Sequence, residues 1–139
     1  MGGNRIKEEV LVNLVANHIK ERGYQVYKEV RIPISPPRHI DLLAFNGEVV
    51  AIEVKVSDWK TALKQANLYT LVADRVYVAI WDKKRRVILN NINLFKYFGI
   101  GVIMVGESLV EVLLEAQGGG AMDYELRKQT LNNIGVIAQ

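Results

Sequence analysis

The sequence predicts an α/β domain, a mixed β-sheet flanked by helices, on three observations. Residues 5–21 place Ile6, Val10, Leu11, Leu14, Val15 and Ile19 on one face of a 3.6-residue period. Residues 24–57 divide into three short alternating or apolar segments parted by turn residues. From residue 58 onward helical and strand-like segments alternate, which calls for crossover connections and parallel pairing. A chain of 139 residues, half of them hydrophobic, fits one domain with a sizeable core.

The elements follow in order. The first helix spans 5–21 and stops at Gly23, a residue that closes helices readily. Tyr24 to Ile34 alternates as a strand does. Ser35-Pro36-Pro37-Arg38 is a stiff loop. Strands over 39–46 and 48–57 flank Asn46-Gly47, a hairpin signal. Ser57 or Asp58 can cap a helix that runs to about Val72. Arg75 to Trp81 is a β-branched strand, and Asp82-Lys83-Lys84-Arg85-Arg86 reads as a basic turn. A further helix ends near Phe98-Gly99, and Gly101–Val105 and Val110–Glu115 are the last strands. The core domain is assigned to 1–117. Gly118-Gly119-Gly120 then breaks the chain before a helical tail over 122–139 that either packs back or reaches a partner.

Composition excludes some chemistries. There is no cysteine, so disulfides and thiolate metal sites are absent. The net charge of +3 permits nucleic-acid binding without arguing for it. Met1-Gly2-Gly3-Asn4-Arg5 runs into a charged amphipathic helix rather than a secretory signal. No apolar run reaches the roughly 18 residues a membrane span needs. The expectation is a cytoplasmic protein with no membrane segment.

The most informative stretch is residues 39–55, HIDLLAFNGEVVAIEVK. Side chains two apart in a strand share a face, so Glu53 and Lys55 point the same way. The surrounding run, Val49 to Val56, is otherwise almost wholly apolar and reads as a buried central strand. A carboxylate there is expensive unless it is paired or holds a cation. The hairpin folds Asp41 back beside Glu53, so two carboxylates and an ammonium converge. Gln65 and Tyr69 sit one turn apart on the next helix and share a face. Glu8 lies at the border of the first helix's apolar face and Glu9 nearly opposite it. His18 falls in that apolar stripe as a core or interface histidine, and His39 is a polar residue at a strand entry.

Asp41, Glu53-Val54-Lys55 and Gln65-Ala-Asn-Leu-Tyr69 together resemble the PD-(D/E)xK nuclease superfamily, with its restriction-endonuclease-like fold, RecB-like and archaeal Holliday junction resolvase-like members included. The resemblance spans roughly residues 5–82, and Ile40 stands where the family's name has proline. It implies a Mg²⁺- or Mn²⁺-dependent deoxyribonuclease, structure- or end-selective rather than sequence-selective, in which Asp41, Glu53 and the Val54 carbonyl hold the ion. Glu8 would hold it through water or serve a second ion. Lys55 would handle the attacking water, and Gln65 would position Lys55 or a phosphate oxygen. Tyr69 would support the helix or contact the nucleic acid, and Arg31, Arg38, Lys60, Lys64, Lys83, Lys84, Arg85 and Arg86 are further candidates for contact with DNA. A homodimer is expected because cutting both strands favours paired sites, and because the Ile100–Val105 strand and the tail offer apolar surface. The alternative is a non-catalytic nucleic-acid-binding protein of the same fold.

Overall fold

In the computed structural model of the chain, residues 6–136 are described. Six strands form one mixed sheet in sequence order: β1 (Gln25–Ile32), β2 (Arg38–Phe45), β3 (Val49–Lys55), β4 (Arg75–Trp81), β5 (Gly101–Gly106) and β6 (Leu109–Leu114). The first three are antiparallel, β3–β4 and β4–β5 are parallel, and β6 returns antiparallel to β5. The fold is thus the α/β mixed sheet flanked by helices that the sequence predicts.

Two parallel connections stepping the same way across a sheet place their helices on the same face when both are right-handed. Accordingly α2 (Trp59–Tyr69), α3 (Arg85–Asn90) and α4 (Ile92–Phe98) share one face. Their Ala62, Ala66, Tyr69, Ile88 and Phe95 pack with Ala51, Val78 and Met104 of the sheet. The opposite face is covered by α1 (Glu8–Lys20), whose Leu11, Val15 and Ala16 pack on Leu42, Ile52 and Val54. Asp58 is the cap of α2, its carboxylate accepting the Thr61 N–H at 3.2 Å. Gly99 ends α4 at φ +71°, the left-handed conformation glycine adopts freely.

Two expectations change, and one left open is decided. The basic stretch after β4 is helical rather than a turn: Asp82–Lys84 is a 3₁₀ helix running straight into α3, whose Ile88 is buried in the core. Strand β5 is not an edge: β6 covers it and all six of its residues are buried. Its apolar run is core rather than contact surface. The tail packs back. Helix α5 (Tyr124–Asn132) contributes Leu126 and Leu131, and Val136 follows them into the α2-side core. Arg127 pairs with Asp74 at 2.8 Å, and Asp74 also accepts the Val49 N–H at 2.7 Å. The core assigned to 1–117 therefore extends to Val136. The helix start at residue 5 and the tail's Ile137 lie outside the described residues.

Candidate active site

The site forms where β2 and β3 part. Their ladder runs from Phe45↔Val49 to Leu42↔Ile52. One step further, Asp41 and Glu53 stand opposite each other. There the Val54 N–H, which continued pairing would give to β2 backbone, donates instead to Asp41 Oδ2 at 2.8 Å. A strand residue directs its N–H and C=O to the same side, so the Val54 carbonyl also faces toward Asp41. The register follows from a three-residue loop, Asn46-Gly47-Glu48, with Gly47 at φ +76° and the Asn46 N–H bonded to the Glu48 carbonyl.

Glu53 is only 4% exposed, the one charged side chain counted as buried among the described residues. Burial pushes its pKa up to about 8; the Asp41 carboxyl beside it adds to the rise, while the Tyr69 hydroxyl and the Lys55 charge oppose it. Tyr69 Oη contacts Glu53 Oε1 and lies 3.0 Å from the His39 carbonyl oxygen. One hydroxyl proton cannot serve both acceptors. With Glu53 protonated, its O–H can serve the Asp41 carboxyl beside it, and the Tyr69 proton is free for the His39 carbonyl. With Glu53 ionised, Tyr69 turns its proton to the carboxylate. Burial and the neighbouring Glu53 charge hold Tyr69 itself protonated.

Lys55 follows on the same strand and is half-buried, its Nζ 4.0 Å from Glu8 Oε1. Glu8 reaches it from the first turn of α1, and a cleft of about 570 Å³ opens there between Lys7, Glu8, Lys55 and Asp58. Burial raises the Glu8 pKa, Lys55 lowers it, and Asp41 and Glu29 raise it again. Asp41, Glu53, Lys55 and Glu8 therefore come together as the sequence suggests, although Glu8 arrives from the opposite sheet face around the strand end.

Other site residues fall differently. Tyr69 is 1% exposed, so it does not reach a nucleic acid as proposed from the sequence; it props Glu53 from beneath. Gln65 is half-buried one turn earlier and makes no side-chain hydrogen bond among the described residues, to Lys55 or otherwise. Arg38 begins β2 with its Nε buried and unpartnered. Arg85 is committed to Glu111 at 2.5 Å, which takes it out of a free basic cluster, while Lys83 and Arg86 stay exposed and Lys84 is half-buried. Lys60 and Lys64 are exposed on α2, and Arg31 on β1. Glu29 was not legible. It is exposed on β1 at φ +53°, a strained value for a residue with a Cβ, and its charge is felt by both Glu8 and Tyr69. Strand alternation gives no sign of this; only the backbone break that faces Asp41 does.

No family model and no curated protein matches the chain. Among solved structures it is similar to a protein of unknown function from Silicibacter pomeroyi, with a TM-score of 0.69 and 18% identity over 91% of this chain and 83% of that one. That likeness concerns the fold alone.

Among the described residues no three His, Cys, Asp or Glu side chains converge to cage an ion unaided, nor is any helix long and apolar enough to cross a membrane. The donor set is a carboxylate pair with a backbone carbonyl beside it. That set suits Mg²⁺, which keeps several waters and takes one or two carboxylates. Burial favours the protonated form of Glu53 at neutral pH, and a cation bound there would favour the ionised one.

Replacing Tyr69 with phenylalanine tests the support role. It should leave the His39 carbonyl without its partner and lower unfolding free energy by about 1–3 kcal/mol, measured by urea titration. It should also raise the Glu53 pKa further, since the hydroxyl now lowers it. Unchanged stability and titration would make the contact incidental.

Proposed function

We propose that the chain is a metal-dependent nuclease of the PD-(D/E)xK type, hydrolysing DNA phosphodiester bonds in the cytoplasm; a homodimer would pair two such sites for cutting both strands. The observation that carries this reading is Glu53: a carboxylate buried in a central strand, facing Asp41 across parted strands, with Lys55 two residues on. Structural ion pairing does not account for it, because the nearest carboxylate to Lys55 by contact is Glu8, not Glu53.

Asp41, Glu53 and the Val54 carbonyl would hold the ion, with Glu8 acting through water. Mg²⁺ or Mn²⁺, when bound, supplies a water of lowered pKa and positive charge beside the phosphate. Lys55 would orient the attacking water and place its amino group against the charge that develops on the phosphoryl oxygens. Glu8 lies 4.0 Å from the Lys55 Nζ at the mouth of the cleft. Tyr69 fixes the Glu53 rotamer from the core side, and the Val54 N–H does the same for Asp41. Arg38, Lys60, Lys64 and Lys83 supply phosphate contacts, which position the backbone without reading sequence.

The test is cleavage of single-stranded, branched and linear duplex DNA with Mg²⁺ or Mn²⁺, by the full chain and by Asp41→Asn. Loss of cleavage in the variant supports the reading. A folded parent that cuts none of these substrates with either ion removes it.

Glu8 and Glu9 separate site from flank. Glu8→Ala should raise the Mg²⁺ concentration needed for half-maximal cleavage about tenfold, or lower the rate by a similar factor. Glu9→Ala, exposed on the far side of the first turn, should change neither. Equal behaviour of the two variants in a metal titration would return Glu8 to a solvated helix flank.

A further inference from the structure

The α2–α4 surface carries a feature the chemistry above does not use. Trp59, Leu63, Leu94 and Phe98 wall an apolar cleft of about 330 Å³. Its remaining lining is Lys60, Lys64 and Asn67, so no acidic residue lines it. Large apolar side chains stay open there: Leu94 is 45% exposed, Phe98 42%, and the neighbouring Tyr97 80%. Tyr97 stacks edge-on against Phe98 at 5.0 Å. Trp59 is held rather than loose: its ring rests on the buried Phe95 at 6.0 Å, and Lys60 Nζ sits 5.7 Å from its centroid. Trp59 is the first residue of α2, four positions after Lys55 at the end of β3.

Aromatic faces interleaved with lysines, without acids, match one class of ligand. Unpaired bases stack on aromatic side chains, while the phosphates that link them take the ammonium groups. A duplex presents no free base faces to such a cleft. A Trp already fixed by its own neighbours loses little conformational freedom when a base lands on it. We propose that the Trp59–Phe98 cleft is a binding subsite for unpaired bases of a single-stranded nucleic acid, leading that strand toward Asp41, Glu53 and Lys55. This rests on the nuclease reading and specifies its substrate: DNA with a single-stranded segment rather than uniform duplex.

The test uses the full chain carrying Trp81→Phe, which leaves Trp59 as the sole tryptophan. Oligothymidylate and a blunt duplex are titrated in EDTA, with Trp59 fluorescence and anisotropy of labelled DNA as readouts. Oligothymidylate should quench Trp59. Phe98→Ala should weaken single-strand binding by about 5- to 150-fold, the range for one lost base stack, and duplex binding by no more than about twofold. Should Phe98→Ala fail to fold, Lys60→Gln with Lys64→Gln, both exposed, should lower the slope of log affinity against log salt by about 1.4, at about 0.7 per phosphate contact. No quenching, or equal losses for single strand and duplex, overturns the proposal. So does light scattering in which the parent is a dimer and Phe98→Ala a monomer, since a second copy then fills the cleft. Cleavage with Mn²⁺ but no Trp59 response sinks the subsite and leaves the nuclease. A Trp59 response without cleavage sinks the nuclease and leaves the subsite.

Discussion

Lys55→Ala should lower metal-dependent DNA cleavage by about 10³-fold, within the range general acid–base and charge-stabilising groups supply. DNA affinity should stay within about threefold. The two effects separate because of where Lys55 sits. It is half-buried, with its ammonium 4.0 Å from Glu8 at the mouth of the cleft. The groups available to phosphates over a wider surface are Arg38, Lys60, Lys64 and Lys83. Single-turnover cleavage and anisotropy on the same substrate provide both numbers. A variant that cuts as fast as the parent makes Lys55 a structural partner of Glu8. A variant that loses binding and cleavage together makes it a phosphate anchor.

Glu53→Gln should change how stability depends on pH. The folded protein holds the Glu53 proton up to about pH 8, whereas an unfolded chain releases it near its ordinary value of 4.5. Between those values the folded state binds the extra proton, so stability is full below about pH 4.5 and falls as pH rises toward 8. Each pKa unit corresponds to about 1.4 kcal/mol, which puts the loss on the order of several kcal/mol. Without divalent ions the parent's melting temperature should therefore fall across this window. Glu53→Gln, with no proton to lose, should hold level and exceed the parent at pH 8. Adding Mn²⁺ at pH 8 should raise the parent and leave the variant unmoved, because ion binding favours the folded form through the ionised carboxylate. Parallel pH profiles for the two proteins would mean Glu53 is ionised without help.

Much of this arrangement was legible in the residues. Asp41 and Glu53 could be paired from sequence because Asn46-Gly47 sets the hairpin and the apolar run around Glu53 marks a central strand. Gly23 and Gly99 announced two helix ends, and both take positive φ. Other features had no local signal. Helix α3 was hidden by four consecutive basic residues, since only Ile88 of that segment is buried. The tail's stripe was broken by Thr130, which is 1% exposed and satisfies its hydroxyl by donating to the Leu126 carbonyl. The apolar run of β5 reads as available surface, yet β6 follows it and closes over it. Tyr69 was recognised by spacing, but its direction, inward to Glu53 rather than outward to a ligand, depends on how α2 sits on the sheet.

The strand order has a consequence for how the molecule is made. Each strand pairs with its immediate neighbour in the chain, and no later strand inserts between earlier ones. Contacts between sequence neighbours shorten the loops to be closed during folding and speed it. The sheet can thus lengthen one strand at a time as the chain leaves the ribosome, in the order of translation. Every residue of the carboxylate–lysine constellation, from Glu8 to Tyr69, has emerged before β4 begins. What synthesis adds afterwards is the far half of the sheet and the helix α5 that returns to β1. Helix α5 packs against β1, so a chain that stalls before α5 would leave that side of its core open.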